Sequence, residues 1–600
     1  MSESAVQTEK KVRSRKGLLS EALIVAVVLV TTLATYIGTL WYNFVYDDDG
    51  QILGNSYIQF WRHVPLYFIS HVWAQLVPRA NGNYYRPVFL LWLRLNDAWF
   101  GLRPEGWHAA AIAMHLLATF LVYLVARKLT KRIPVAAFTA LIFGLHPMHA
   151  EVVAWVSGAT ESLCAVFILA GFLAYLESRE GNAAIWMTIS CVLYVFAVFS
   201  KETGIVLPLL VFAHCWIYAP DQGAGAGGTM RRFLACVRAT IVYAPVALVY
   251  LAARMLVLHG LSHPLVHLGT RQLLFTIPSM VGFYVKKWFL PIRLDEFYDM
   301  PYWGTLNFFH VILPALLVLA LFAAIWMARK NLGERDVKFA LFWVIVPLLP
   351  VLDSRMLPRD EIVHDRYFYL PSVGAALLVA LVVDRWTRAS RSPGGVIVFG
   401  VPLTQLLVAL VLAATLGGLS VRESQFWANN YTLFHRAYTL APHNPTGRLD
   451  YGAELITRGD FDGARAVFAA ALVEDPHDSS IYVNLGRMSY VERDYPQAER
   501  SLNKALEINK DNADAHANLG LAQLRMDHLA DALVNMRSAA ALRPNDPELL
   551  YAYGVVLEAD GNCSLANDQF RAALEIRPNE PYAETQLIRC QQVLARPSQN

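Results

Sequence analysis

The chain has 600 residues, of which 56% are hydrophobic and 16% are charged, and its formal net charge at pH 7 is +3. This length exceeds that of a single compact domain, and the apolar fraction is typical of a membrane protein rather than a soluble globular one. The small net charge, with basic residues beside apolar segments rather than along a stripe, argues against nucleic-acid binding.

The apolar runs begin after a short basic tail and end near residue 420. Residues 1–18 contain KKVRSRK, and no small-residue cleavage site follows the apolar run 19–41. This run is therefore predicted to be a retained anchor rather than a removed signal peptide. Basic residues before a span favour the cytoplasmic side, so the tail is expected in the cytoplasm.

The stretch directly after this span, WYNFVYDDDGQILGN, holds three consecutive aspartates, Asp47, Asp48 and Asp49. The plainer interpretation is that carboxylates are common just outside a membrane segment. The alternative is that they form a reaction centre at the membrane surface. They lie at the start of a first outer loop predicted over residues 42–106.

Eleven apolar segments are predicted to cross the membrane, which takes roughly 20 residues each. With the N-terminus inside, every loop on the cytoplasmic side carries Arg or Lys, as the positive-inside rule expects. The odd number of spans places the C-terminal domain on the outer side. Segments 86–100 and 272–290 are predicted to lie against the outer face. The predicted spans are 19–41, 107–126, 133–147, 151–176, 182–199, 203–219, 235–258, 308–328, 337–352, 367–386 and 397–420.

Charged and histidine side chains in or at the rim of membrane segments are costly, so each is a functional candidate. Plainer interpretations remain open: His146 adjoins a turn proline, and Lys201 and Glu202 could form a local surface ion pair. Arg366 and Arg86 can grip a phosphate with two parallel hydrogen bonds. The candidates for binding a phosphate or another part of a substrate are Arg86, His146, His149, Glu151, Glu161, Lys201, Glu202, His364 and Arg366.

From residue 442 the sequence repeats every 34 positions. Small residues where two helices cross, with a proline closing each unit, are typical of tetratricopeptide repeats. Such arrays bind peptides or protein surfaces, although a purely stabilising appendage remains an alternative. The aligned positions are Pro442, Pro476, Pro544 and Pro578, with Lys510 in the remaining proline position; Gly452, Gly486, Gly520 and Gly554; Ala464, Ala498, Ala532 and Ala566; and Ala471, Ala505, Ala539 and Ala573.

The repeat period also sets the predicted domain boundaries in the C-terminal part. A half-repeat junction over 423–444 joins the last span to four repeats over 445–580, namely 445–478, 479–512, 513–546 and 547–580. A capping helix and tail follow over 581–600. No cysteine spacing in the chain indicates a metal site, and the sequence leaves open whether Cys563 and Cys590 form a disulfide.

Carboxylates combined with Arg, Lys and His at a lipid–water boundary suit one kind of chemistry. A base takes a proton from an acceptor hydroxyl, the hydroxyl attacks a sugar carbon, and a lipid phosphate leaves through a transition state resembling an oxocarbenium ion. The cations would stabilise the charge that develops on the phosphate. Two other classes stay open: a transporter or flippase with a docking domain, and a non-enzymatic scaffold that displays the repeats. Within the enzyme class, a glycan or lipid acceptor is the alternative to a protein.

The ordered motifs FVYDDDGQILGN, YYRP, LHPMHAEVVAWVSGATESL, FSKETG and DRYFYLPSVG, followed by the repeats, resemble the transmembrane and tetratricopeptide-repeat-containing protein O-mannosyltransferases. These belong to the GT-C superfamily of membrane glycosyltransferases. The resemblance implies an all-α fold, with a polytopic GT-C-type catalytic domain of about 11 transmembrane helices over 19–422 followed by a tetratricopeptide α-solenoid.

The same resemblance implies the reaction and its place. The donor would be dolichyl- or polyprenyl-phosphate mannose, the acceptors would be Ser and Thr hydroxyls of proteins recruited by the repeats, and the active site would face the lumen or periplasm. The alanine-rich composition favours a bacterial-type member in the inner membrane, and the endoplasmic reticulum membrane is the eukaryotic equivalent.

The family's paired acidic motif falls on Asp47 and Asp48, which the resemblance implies as catalytic residues. One would be the general base, and the other would position the acceptor or a metal ion. An adjacent carboxylate raises a neighbour's pKa, which suits a base. A divalent cation such as Mg or Mn is left open, with both aspartates as candidate ligands. Where the family commonly has an Arg after the glycine of its His-Pro segment, Ala159 follows Gly158, and the acidic residue is present as Glu161.

Overall fold

The computed structural model describes residues 3–75, 82–219, 226–358, 361–390, 396–398, 401–577 and 581–595. These residues are almost entirely helical, as the sequence predicts. A short antiparallel pair of strands, β1 (Ile397–Val398) and β2 (Val401–Pro402), precedes the last membrane-type helix.

The N-terminal part is built from sixteen described α-helices. One of them, the apolar helix over residues 133–145, is buried on nearly all sides by its neighbours. The helices are α1 (Glu3–Tyr36), α2 (Val64–Tyr67), α3 (Pro87–Phe100), α4 (Pro104–Thr130), α5 (Ile133–Leu145), α6 (Ala150–Ala154), α7 (Thr160–Ser178), α8 (Ala183–Ser200), α9 (Leu207–Tyr218), α10 (Ala226–Ile241), α11 (Ala244–Leu258), α12 (Thr270–Phe289), α13 (Leu313–Leu332), α14 (Glu334–Leu352), α15 (Ser372–Ala389) and α16 (Leu403–Ser424).

Six of the described helices are long and apolar enough to cross a membrane, or up to eight spans if two bent helix pairs are each counted as one. This number differs from the eleven predicted spans, although each predicted span contains a helix. Helix α9 is short, α14 carries four charged residues at its N-terminal end, and α15 carries three at its C-terminal end. The six helical spans are Ser20–Trp41, Pro104–Thr130, Ser157–Ser178, Ala183–Ser200, Phe308–Leu332 and Leu403–Trp427.

The predicted span 133–147 is interrupted by a bend of 55° between α5 and the helical segment Pro147–Ala154. The bend has a local cause. A residue before proline is pushed out of the helical region, and His146, which precedes Pro147, has φ −74° and ψ 128°. The bend brings the polar residues that follow it to the end of the helix bundle rather than continuing the span.

The C-terminal part is the predicted array of helix pairs. The first helix of every repeat begins with a side-chain cap, because Asn444, Asp478, Asn512 and Asp546, also 34 residues apart, each accept a hydrogen bond from a backbone N–H of the first turn. The helices are α17 (Asn430–Leu440), α18 (Pro445–Thr457), α19 (Phe461–Glu474), α20 (Ser479–Val491), α21 (Tyr495–Ile508), α22 (Ala513–Arg525), α23 (Leu529–Leu542), α24 (Pro547–Ala559), α25 (Cys563–Ile576) and α26 (Pro581–Ala595).

The aligned glycines mark where the two helices of a repeat touch. A Cβ atom on Gly452 of α18 would lie 2.4 Å from the Phe468 ring of α19. In the second repeat, a Cβ atom on Gly486 of α20 would lie 2.5 Å from Leu502 of α21. The Phe468 ring is fully buried. Each repeat therefore needs a residue without a side chain at this crossing. Cys563 and Cys590, farther along the array, are free thiols.

We expect Gly452→Ala to destabilise the array by about 1–3 kcal/mol, because the added methyl group overpacks a crossing that cannot widen without moving Phe468. The free energy of unfolding in a denaturant titration measures the change. Ala469→Ser, on the exposed face of α19, is the control and should change stability by less than about 0.5 kcal/mol. Equal stabilities for the two variants would contradict this account.

Candidate active site

The loop that carries the aspartates is held in an unusual backbone conformation. Tyr46, directly before Asp47, has φ +56°, a left-handed value that is rare for a bulky residue and usually needs outside support. That support comes from the half repeat, because the Tyr46 backbone N–H donates to Asn430 Oδ1 of α17 at 2.9 Å. The Tyr46 ring packs against Trp155, Phe297 and Phe434.

Asp48 is completely buried, and both of its carboxylate oxygens are used within the fold. Oδ1 accepts from the Ser157 N–H at 2.8 Å and from Ser157 Oγ at 2.6 Å, and Oδ2 accepts from the Val45 N–H at 3.2 Å. Burial raises the pKa of Asp48 to about 7, opposed by these donors. The Asp48 side chain thus connects the aspartate loop to the turn before α7 and holds the loop in place.

Asp47 is half-buried and much less restrained. The one hydrogen bond of its side chain to a described residue is a long one, donated by Gln51 Nε2 to Oδ2 at 3.4 Å. Desolvation by the surrounding protein and the negative charge of Glu296 raise the pKa of Asp47 to about 8, while the positive charge of Arg366 lowers it. Asp47 is thus a carboxylate that can accept a proton near neutral pH.

Arg366 forms the centre of an ion cluster beside Asp47. Its Nη1 donates to Glu151 of α6 and to Glu296 Oε1 at 2.7 Å, and its backbone N–H donates to Glu151 Oε2 at 3.0 Å. The guanidinium also lies 5.1 Å from the centre of the Trp155 ring. The two carboxylates are almost fully buried and need this partner, because an unpaired buried charge is very costly.

One group of residues in this cluster has the composition of a metal site. A ligand atom from each of Glu151, Glu296 and His364 lies within 4.8 Å of the others. Arg366 already donates to both carboxylates, so a divalent ion would have to displace the guanidinium. Asp48 is likewise occupied by N–H and O–H donors. The residues as arranged do not fit a divalent ion, and no step below uses one.

The other predicted cations are paired with carboxylates. Arg86 holds Glu202 through two hydrogen bonds, Nε to Oε2 at 3.1 Å and Nη2 to Oε1 at 2.6 Å. Lys201 forms a buried ion pair with Glu161, and its Nζ lies 5.2 Å from the centre of the Tyr367 ring. Four residues singled out separately in the sequence therefore form two pairs, and Lys201 and Arg366 both contact Tyr367.

His146 and His149 are buried and make structural contacts. The His146 ring stacks on Trp288 with centroids 3.7 Å apart, and its Nε2 lies 3.0 Å from the Trp288 carbonyl. His149 lies 2.8 Å from the Phe143 carbonyl through Nδ1 and 3.0 Å from Ser372 Oγ through Nε2. These contacts fix the bend after α5 against α12 and α15. The part of these histidines in donor binding stays a prediction.

The sequence analysis missed three acidic residues in and around the Arg366 cluster. Glu296 follows Asp295 in the long segment after α12, and this pair of adjacent carboxylates was the available signal. Glu361 lies in the loop before Arg366, and Asp450 lies on α18 of the first repeat. Burial and the negative charge of Glu361 raise the pKa of Asp450 to about 7. A residue of the repeat array thus belongs to the same electrostatic cluster as the membrane domain.

The half repeat is attached directly to the loops around this cluster. The Asn43 N–H donates to the Ala428 carbonyl at 3.1 Å, and Arg436 Nε donates to the Leu294 carbonyl at 2.7 Å. A hydrophobic cluster joins the two parts through, among others, Val45, Phe297, Trp427, Leu433 and Phe434. The aspartate loop and the start of the repeats therefore lie at the same end of the membrane helices.

Comparison with protein families and known proteins agrees with both parts of the sequence. The family models for a TPR repeat and for a tetratricopeptide repeat match residues 492–527 and 517–581. Protein O-mannosyl-transferase TMTC3 of Mus musculus is 24% identical, over 92% of this chain and 60% of its own length. Protein O-mannosyl-transferase TMTC1 of Homo sapiens is 24% identical, over 74% of this chain and 54% of its own. Among solved structures, a crystal structure of MamA is 24% identical over 24% of this chain and 84% of its own, with a TM-score of 0.22.

The resemblance stated from the motifs is confirmed by these relatives, which match most of the chain. The chain spans 60% of the length of the mouse relative and 54% of that of the human one. The six membrane-length helices make it a membrane protein.

Proposed function

We propose that the chain is a membrane glycosyltransferase that transfers a sugar from a lipid-phosphate donor to Ser and Thr hydroxyls of proteins. In line with the names of its relatives, the sugar would be mannose, and the family resemblance of the motifs implies a polyprenyl or dolichyl lipid. The observation that carries the proposal is the setting of Asp47, a lightly restrained carboxylate of raised pKa beside the Arg366 cluster, where the membrane helices meet the repeats.

In the proposed reaction Asp47 is the general base. It takes the proton of the acceptor hydroxyl while the hydroxyl oxygen attacks the anomeric carbon of the sugar. The bond from that carbon to the phosphate oxygen breaks, and the lipid phosphate leaves with the bonding electron pair. The sugar passes through a state resembling an oxocarbenium ion.

Arg366 is the residue that would bind the donor phosphate. Its guanidinium hydrogen bonds to described residues all use Nη1, so Nε and Nη2 remain able to donate to phosphate oxygens. Arg keeps its charge at any physiological pH, and paired parallel donors suit a phosphate. The Lys201–Glu161 and Arg86–Glu202 pairs would border the same site. Asp48 would act as a positioning residue for the loop.

The remaining proposals concern placement. The basic N-terminal tail would lie in the cytoplasm, and the Asp47 site and the repeats would lie on the extracytoplasmic or lumenal side. Residues 19–422 would form the catalytic domain, and the repeats over 445–580 would recruit the acceptor protein. A bacterial inner membrane and an endoplasmic reticulum membrane are both compatible with this arrangement.

The direct test is reconstitution of the purified full chain in lipid nanodiscs with a polyprenyl- or dolichyl-phosphate mannose donor and a polypeptide rich in Ser and Thr. Mass spectrometry should find hexose on Ser or Thr of the polypeptide, and none when the donor is omitted. Hexose on an added glycan or lipid but not on the polypeptide would show that the acceptor is a glycan or a lipid rather than a protein. No consumption of any lipid-linked donor would refute the enzyme.

The rate of transfer should rise with pH up to about pH 8. The raised pKa of about 8 means that Asp47 is mostly protonated below that pH, and a protonated carboxyl cannot take the acceptor's proton. One pH unit below the pKa, kcat/KM should be roughly tenfold lower than its plateau. Asp49→Asn, which alters the exposed neighbour, should keep the same profile. A kcat/KM that is constant between about pH 6 and pH 9 would rule out a base with this pKa.

A further inference from the structure

A cavity of about 780 Å³ lies where the first repeat meets the segment 298–302 of the membrane domain. This volume is within the usual range of ligand sites, about 300–1,000 Å³. We call it the acidic groove. Its lining residues are Tyr298, Asp299, Met300, Pro301 and Tyr302 on one side, and His443, Asn444, Pro445, Arg448, Leu449, Ala471, Glu474, Asp475, Asp478 and Ile481 on the other.

Negative charge dominates the groove. Four carboxylates, those of Asp299, Glu474, Asp475 and Asp478, face one guanidinium, that of Arg448. Arg448 is already engaged, because Nη2 donates to Glu474 Oε2 at 2.7 Å and to the Pro442 carbonyl at 2.7 Å. Asp299 and Asp475 are exposed. An anionic ligand such as the lipid-phosphate donor would be repelled here, whereas a cationic ligand would be attracted.

The groove is joined to the Asp47 site through residues that border both. Tyr298 lines the groove, and its hydroxyl donates to Asp365 Oδ2, beside Arg366, at 2.8 Å. Phe297 packs in the hydrophobic cluster that contains Val45 of the aspartate loop. On α18, Leu449 lines the groove, while the next residue, Asp450, lies in the electrostatic cluster of Glu361. The groove therefore borders residues that pack against the loops of the Asp47 site.

We propose that the acidic groove binds the acceptor polypeptide and selects segments that carry Lys or Arg close to the Ser or Thr to be modified. This inference rests on the proposed function, since it concerns the acceptor of that reaction. The carboxylates of the acidic groove can pair with basic side chains. Apolar contact for the extended polypeptide comes from Tyr298, Met300, Tyr302 and Leu449. Charge complementarity of this kind gives specificity more than affinity.

The test measures peptide binding by the full chain in nanodiscs without any donor, so that it does not depend on catalysis. The probes are two labelled peptides that differ only in having Lys or Glu on both sides of one Thr. The wild type should bind the Lys peptide more tightly, with an affinity that falls as salt is added. In the double variant Asp299→Lys, Asp475→Lys, the Lys peptide should bind about tenfold more weakly, a modest loss because exposed charge pairs contribute little each.

Asp511→Lys is the matched control, because Asp511 is an exposed residue of the equivalent turn one repeat later, away from the groove lining. It should bind both peptides as the wild type does. Equal binding of both peptides by the wild type, or an equal loss of binding in the control, would overturn the inference about the groove. The reconstitution assay separates the two proposals. Sugar transfer at equal rates to the Lys and the Glu peptide would contradict the proposed selectivity of the groove but not the transferase activity. Preferred binding of the Lys peptide without any transfer would contradict the transferase activity but not the charge preference of the groove.

Discussion

Asp47→Asn is expected to lower kcat for sugar transfer by roughly a hundred- to ten-thousandfold, which is the usual contribution of a positioned general base. Asparagine keeps the shape of the side chain and removes its ability to take a proton. The fold should tolerate the change, because Asp47 is half-buried and the one hydrogen bond of its side chain to a described residue is long. Kinetics with reconstituted enzyme and saturating donor measure the loss.

Two neighbouring substitutions make this result specific. Asp49→Asn removes an exposed carboxylate and should leave kcat within about threefold of the wild type, because the one hydrogen bond that its side chain accepts from a described residue is a long one, from Asn430. Asp48→Asn should lower stability as well as activity, because an amide cannot accept from both Ser157 and the Val45 N–H. Full activity in Asp47→Asn would end the assignment of this residue as the base.

Arg366→Met is expected to destabilise the membrane domain by about 3–5 kcal/mol and to abolish transfer. The substitution leaves Glu151 and Glu296 buried and facing one another without the guanidinium between them, which is the costly way to break a buried ion pair. It also removes the proposed donor to the phosphate. Thermal unfolding of the detergent-solubilised chain measures the first effect, and the transfer assay measures the second.

The control is another arginine paired with a carboxylate outside the membrane helices. Arg355 is bound to Asp353 by two hydrogen bonds of 2.7 Å, but both side chains are well exposed, so Arg355→Met should cost at most about 1 kcal/mol. A second-site change, Glu296→Gln in the Arg366→Met background, should recover part of the stability but not the activity. A variant Arg366→Met as stable as Arg355→Met would show that the cluster is not the buried network described above.

Local sequence patterns predicted the repeats well. The spacing of 34 residues fixed the order of the helix pairs, and small residues at Gly452 and Ala464 identified the crossing helices, because that packing depends on neighbours in the same repeat. The aspartate loop was likewise visible, since consecutive carboxylates after an apolar span are unusual. The structure also explains why two adjacent carboxylates differ: Ser157 donates two hydrogen bonds to Asp48, whereas the Asp47 side chain accepts one long hydrogen bond from the part of the chain that is described.

Pairings across the chain could not be predicted in the same way. Arg366 pairs with Glu151, which is 215 residues away in the sequence, and Arg86 pairs with Glu202, 116 residues away. The sequence around an arginine does not indicate which carboxylate it will contact. Glu296 and Asp450 were missed for the same reason, because only the folded structure brings their carboxylates to the Arg366 cluster. The number of spans was also hard to predict from apolar runs, because such a run does not show whether its helix is straight. The helix over residues 133–145 ends at a 55° bend, where His146 precedes Pro147.

The dependence of Tyr46 on Asn430 has a consequence for the order of biosynthesis. The strained backbone before Asp47 is supported by a hydrogen bond that the Tyr46 N–H donates to Asn430, 384 positions later. While the chain leaves the ribosome N-terminus first, the whole helix bundle is inserted before that support exists. We expect the proposed transferase to stay inactive until the half repeat emerges, so a newly made membrane portion could not consume lipid-linked sugar by itself.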